Sequence, residues 1–160
     1  MKSLVVFYSR TGSTKKVGEA IAQKLNCDIE EIISIKNRTG FFGLIRSGFE
    51  TAFKKLPEIK NIEHDPSLYD IVIIGTPVWG GTMASPIRTF LSQHKEQFKK
   101  VAFFCTCGSD TSDTFKDMES ICGKTPLIHL APRRREVAGA KYIEKLNEFT
   151  EKILNKSVTQ

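Results

Sequence analysis

The sequence predicts a doubly wound α/β fold, a parallel sheet with helices on both faces, and three observations predict it. Short apolar runs at residues 4–8, 71–74 and 101–105 are unbroken by polar alternation, as expected of strands covered on both sides. Amphipathic stretches of helical period separate the runs. Each run opens at its carboxyl end into a polar, glycine-bearing loop, at 9–14, 76–87 and 106–114. In open α/β sheets, ligands gather at those ends. The 160 residues form a single domain, 1–160, long enough for one core and too short for two.

The first strand, Leu-Val-Val-Phe-Tyr at 4–8, leads directly into the turn Ser9, Arg10, Thr11, Gly12, Ser13 and Thr14. Val17, Ala20, Ile21 and Leu25 then recur at helical spacing, with Lys15, Lys16, Glu19, Gln23 and Lys24 mainly on the opposite side. Gly12 permits a tight bend and the hydroxyls can donate inward. Backbone N–H groups at a helix start lack intrahelical partners and lie at the positive end of its dipole, so the turn reads as an anion cradle. It has one glycine, without the Gly-Lys-Ser/Thr of a nucleotide-hydrolysing loop or the three spaced glycines of a dinucleotide fingerprint. The expected anion is a single terminal phosphate monoester, held without magnesium. The plainer alternative is that Ser13 or Thr14 merely caps the helix.

A second strand is expected within 27–35, where Glu30 and Glu31 interrupt the isoleucines and suggest an edge position. Phe42, Ile45, Phe49, Ala52, Phe53 and Leu56 form a helical stripe within the Phe-rich segment 41–56, which reads as a helix on the sheet. A lid, a dimer contact or a membrane-surface patch is the sharper alternative for it. The run 69–75 should be the central strand. It opens into Thr76, Pro77, Val78, Trp79, Gly80 and Gly81, which places the single tryptophan on a loop beside two glycines with rotational freedom. Ser85 and Pro86 start a helix that runs to His94. After the strand 101–105 come Thr106, Cys107, Gly108, Ser109 and Asp110, then a short helix at 115–122, a last strand at 126–131 and a closing helix at 137–154.

Hydrophobic content of 40% and charged content of 26% exclude a disordered chain. No span suits a bilayer, and Met1 and Lys2 lead straight into the first strand without a signal segment, so a cytoplasmic location is expected. A net charge of +6 favours acidic partners or anionic ligands by steering. No nucleic-acid-binding motif organises the cations, so no specific nucleic-acid partner is expected. Cys27, Cys105, Cys107 and Cys122 fit neither a disulfide framework nor zinc spacing, and are read as reduced thiols. Cys105 and Cys107 would share a strand face, so a metal set with His94 or His129 is conceivable, but no metal is expected.

Phosphate contacts in the first loop, an indole beside glycines in the second, and small side chains with backbone amides in the third suit a ligand with a phosphate tail and a planar ring system. Residues 8–14 and 76–81 resemble, respectively, the phosphate loop and the first isoalloxazine loop of the flavodoxin family, and the resemblance spans nearly the whole chain. It implies a flavodoxin-like three-layer sandwich with a five-stranded parallel sheet in order 2-1-3-4-5. It also implies bound FMN, with Ser9, Arg10, Thr11, Gly12, Ser13 and Thr14 at the phosphate and Trp79 against the inner face of the ring. Gly80 resembles the residue whose peptide flips so that its carbonyl accepts from reduced N5, stabilising the one-electron semiquinone. Thr106, Cys107, Gly108, Ser109 and Asp110 resemble the second ring-binding loop.

Three departures accompany the match. Flavodoxins are typically acidic, place an acid after the flipping glycine and cover the outer ring face with tyrosine. This chain is basic, has Gly81 at the first of those positions and Asp113 or a neighbour near the second. Fewer carboxylates would leave the reduced flavin less repelled, raising its potential, and an open face could admit a nicotinamide or quinone. Arg133, Arg134 and Arg135 read as a solvated charge run, or else as a site for a nucleotide phosphate or an acidic redox partner. The expected function is FMN-dependent redox chemistry. An electron carrier docking on redox proteins is one form, an NAD(P)H-dependent FMN quinone reductase another, and a non-redox binding domain of the same fold a third; a homodimer is possible. A phospho-receiver would need acids near residues 8–10 and at 76, and a low-molecular-weight phosphatase a cysteine in the first loop; neither is present.

Overall fold

The computed structural model describes residues 1–35, 56–137 and 139–155. Its strands are β1 (Ser3–Phe7), β2 (Asp28–Glu31), β3 (Ile71–Trp79), β4 (Thr82–Met83), β5 (Lys100–Thr106) and β6 (His129–Leu130). Four helices accompany them: α1 (Ser13–Leu25), α2 (Ser85–His94), α3 (Thr114–Cys122) and α4 (Ala140–Asn155). The sheet runs β2-β1-β3-β5-β6, with β4 paired to β3 alone. All pairings are parallel except β3 with β4. Once the hairpin strand β4 is set aside, this is the expected order.

Alternation along the three inner strands assigns each side chain to one of two cores. Leu4 and Val6, Val72 and Ile74, and Val101 and Phe103 face the layer that contains Ile87, Phe90 and Leu91 of α2 and Met118 of α3. Val5 and Phe7, Ile71 and Ile73, and Ala102 and Phe104 face the opposite layer, with Val17 and Ile21 of α1 and Leu146, Phe149 and Ile153 of α4. The strands are therefore covered on both faces, which is why they read as continuous apolar runs. β1 lies between β2 and β3, so the winding reverses there, and the carboxyl ends of β1 and β3 open onto the resulting crevice.

Several expected bounds move. Trp79 is the last residue of β3 rather than part of a loop. Gly80 (φ 55°) and Gly81 (φ 78°) form a two-residue hairpin turn that folds β4 back, and both need positive φ there. The edge strand expected within 27–35 shrinks to Asp28–Glu31, with Ile33 and Ile35 exposed beyond it. β6 is shorter than 126–131, although Leu127 N–H already donates to Val101 O at 2.8 Å. The Phe-rich segment 41–56 lies, apart from exposed Leu56, outside the described residues.

Candidate functional site

At the carboxyl end of β1, Ser9 Oγ accepts the N–H of Gly12 at 3.1 Å, closing the turn on itself. Gly12 sits at φ 88°, in the left-handed region that favours glycine, and caps α1. No side chain caps the helix, and its first turn carries no acid. The N–H groups of that turn are therefore left to an external acceptor at the positive end of a 13-residue helix. Ser13 and Thr14 are helical residues, and neither fills the cap position. Thr14 is buried, with its hydroxyl 2.7 Å from that of Thr106 at the end of β5, which ties the first loop to the third.

Arg10, Thr11, Thr14, Pro77, Trp79, Thr106 and Arg134 line a pocket of about 170 Å³. Two guanidiniums, two hydroxyls beside the uncapped helix and an indole thus converge on one space. That donor set matches a phosphate joined to an apolar ring system. The Trp79 indole meets the Tyr8 ring edge-on, with centroids 5.6 Å apart and an 87° interplanar angle, which fixes the platform from the β1 side.

The remaining residues of the second loop build the hairpin. Thr76 is fully buried; its hydroxyl accepts from Ala84 N–H at 2.9 Å and donates to Pro77 O at 2.9 Å. Val78 pairs with Met83 and Trp79 with Thr82. Gly80 is exposed at the turn. The Gly81 carbonyl accepts from Asp113 N–H at 3.1 Å, so the second and third loops are joined directly.

The third loop divides. Cys107 N–H donates to Pro132 O at 3.4 Å and Cys107 O accepts from Arg134 N–H at 3.0 Å, which draws the segment after β6 along the sheet end. Gly108, Ser109 and Asp110 are exposed and do not line the pocket that contains Trp79. Ser109 and Asp110 instead line a neighbouring cavity of about 500 Å³ with Arg133, Lys141 and Tyr142. The Asp110 carboxylate accepts from Ser112 Oγ at 2.5 Å and Ser112 N–H at 2.9 Å. Those bonds, the hydroxyl first, hold its pKa below the ordinary carboxylate range.

One contributor carried no signal in the sequence and another was named there only as an alternative. Arg134 belongs to the run read first as solvated and otherwise as a site for a nucleotide phosphate; its backbone is pinned at Cys107 and it lines the pocket. The contributor without a signal is the N–H of Asp113, since no residue type announces a backbone donor. Burial pushes the thiols of Cys105 and Cys107 above the ordinary range, and no group of three His, Cys, Asp or Glu able to hold a metal occurs among the described residues. Nor is any helix among them long and apolar enough to cross a membrane.

A family model described as Flavodoxin matches residues 2–153. No curated protein matches the chain. Among solved structures, a Lactobacillus acidophilus flavoprotein in complex with FMN is 27% identical, with a TM-score of 0.70 over 85% of this chain and 95% of its own. A putative flavoprotein of Bacteroides uniformis is 24% identical, with a TM-score of 0.75 over 92% and 96%. Oxidised flavodoxin 1 of Bacillus cereus is 19% identical, with a TM-score of 0.62 over 97% and 98%.

Proposed function

Because the chain belongs to the flavodoxin family, we propose that it binds FMN and carries electrons between redox proteins through it. The observation that carries this reading is the uncapped start of α1, faced by Arg10 and Arg134 and walled by Trp79 in one pocket. The first-turn N–H groups and the Thr11 and Thr14 hydroxyls would take the phosphate, with the two guanidiniums balancing its charge. Trp79 would lie against the rings, and its edge-on contact with Tyr8 keeps the indole from turning away. FMN supplies one- and two-electron chemistry when bound; the protein orients it and sets its electrostatics. Arg133, Arg134 and Arg135 after β6 make the same rim attractive to an acidic redox partner.

Titrating the protein with FMN and, separately, riboflavin tests the reading. FMN should lose fluorescence and raise the melting temperature at lower concentrations than riboflavin. If neither ligand does so, the proposal fails. An NAD(P)H-dependent quinone reductase is the second reading, and the small, exposed residues Gly108, Ser109 and Asp110 favour it by leaving that side of the crevice uncovered by any aromatic of the loop. Steady turnover of NADH or NADPH with a quinone and no added reductase would select the reductase. No turnover, with two resolved one-electron steps on reduction, would select the carrier.

A further inference from the structure

α2 begins at Ser85, so Arg88 lies in its first turn, where the positive end of the helix disfavours a cation. Its side chain is nevertheless only 6% exposed, and its Nε has no hydrogen-bond partner. A buried charge is costly unless other groups compensate it. The compensation comes from one hairpin hydroxyl, Thr82, and one carboxylate of α3, Asp117. Arg88 Nη2 donates to Thr82 Oγ1 at 3.2 Å and lies 3.7 Å from Asp117 Oδ2, the oxygen to which the Thr82 hydroxyl itself donates. Thr82 directly follows the two glycines of the turn. Gly81, on the other side, is held through its carbonyl by Asp113 N–H at 3.1 Å. Among the described residues, no backbone hydrogen bond from outside the hairpin reaches the carbonyl of Gly80. The turn is therefore held from one side, at Gly81 and Thr82.

We propose that Arg88 is a positioning residue for the cofactor's redox step: with Asp117 it clamps Thr82, the strand partner of Trp79, and would set the reduction potential of FMN held at that indole. The inference rests on the FMN reading. Its electrostatic sign follows from charge alone, because a nearby cation favours added electrons on the flavin and a carboxylate opposes them. Losing Arg88 should lower the potential, and losing Asp117 should raise it. A clamp acting through rigidity alone would move both variants in the same direction, since each opens the same contact.

The test measures the potential of FMN-loaded protein by titration against reference dyes, in the parent and in Arg88→Met, Arg88→Lys and Asp117→Asn. Arg88→Met should lower the affinity for reduced relative to oxidised FMN about tenfold, or about 30 mV for a two-electron couple. Asp117→Asn should shift it comparably upward, and Arg88→Lys should stay within about threefold of the parent. Shifts of the same sign in Met and Asn variants, or shifts below about twofold in both, would overturn the proposal. If Arg88→Met does not fold, Asp117→Asn decides alone, since that side chain is 26% exposed and asparagine keeps an oxygen to accept from the Thr82 hydroxyl: a raised potential supports the proposal and an unmoved or lowered one overturns it. A parent that binds no FMN overturns the cofactor reading itself, whereas a parent that binds with unmoved variants overturns this inference only.

Discussion

The turn after β1 and the hairpin after β3 flank the same crevice but are held in opposite ways. The first is local: Ser9 closes onto Gly12 three residues away, and the helix that follows supplies the anion-binding groups from its own backbone. A buried long-range tie joins it to the third loop, from Thr14 to Thr106. The hairpin is held from a distance, by Asp113 at Gly81 and by Arg88 and Asp117 at Thr82, all on elements later in the chain. An anion site can thus be built from one strand, one glycine and one helix start. The hairpin turn, held at Gly81 and Thr82, draws on two further elements packed against it.

Both depend on a common floor, and the largest predicted effect tests whether it is rigid. Gly75 pairs with Phe7 on one side and Phe104 on the other, below both loops. A Cβ there would sit 2.0 Å from Cζ of Phe104, whose ring is fully buried and has nowhere to move. Gly75→Ala should cost about 3 kcal/mol in urea unfolding. A cost below about 1 kcal/mol would mean that the floor yields and the two regions are not independent. Thr14→Val comes next, since it removes a buried hydroxyl and leaves that of Thr106 unpartnered. It should cost about 2 kcal/mol, and Thr106→Val in the same background should restore part of it.

The charges sharpen the contrast. If the two guanidiniums face the phosphate, Arg10→Ala and Arg134→Ala should each weaken FMN about tenfold, about 1.4 kcal/mol, without changing riboflavin affinity. Raising salt should narrow the gap between parent and variants, because Arg134 is exposed. Equal losses for FMN and riboflavin would place these arginines at the ring instead of the phosphate and dissolve the division of labour between the loops.

The same contrast explains what could be read beforehand. The strand order and the first loop were legible because their signals are local: an apolar run, one glycine among hydroxyls, then a helical stripe. The hairpin was not. Gly80 and Gly81 read as rotational freedom, whereas the folded chain uses both as the positive-φ centre of a turn that creates β4. Arg134 was named as a phosphate site only as the second choice, for a related reason. Within the sequence it is one cation of three, and only the bridge from Cys107 to Arg133 brings it over the crevice. Arg88 carried no signal either, since its importance lies in being buried next to Thr82 rather than in any motif.

The smallest predicted effect separates the two glycines of the hairpin. A two-residue turn with both φ values positive converts, by rotating its central peptide, into one in which only the first φ stays positive. Gly80 therefore needs glycine in either form, and Gly81 (φ 78°) only in the observed one. Gly80→Ala should cost about 1 kcal/mol however freely the turn rotates. Gly81→Ala should cost as much only if Asp113 and Thr82 hold the turn as it stands, with the new Cβ also crowding that of Ser112 at 3.3 Å. Thermal unfolding of the two variants reads the difference. Equal losses mean a fixed hairpin, as the clamp by Arg88 and Asp117 requires. A near-silent Gly81→Ala beside a costly Gly80→Ala would show a turn that rotates without restraint, and the second region would then be no more tightly held than the first.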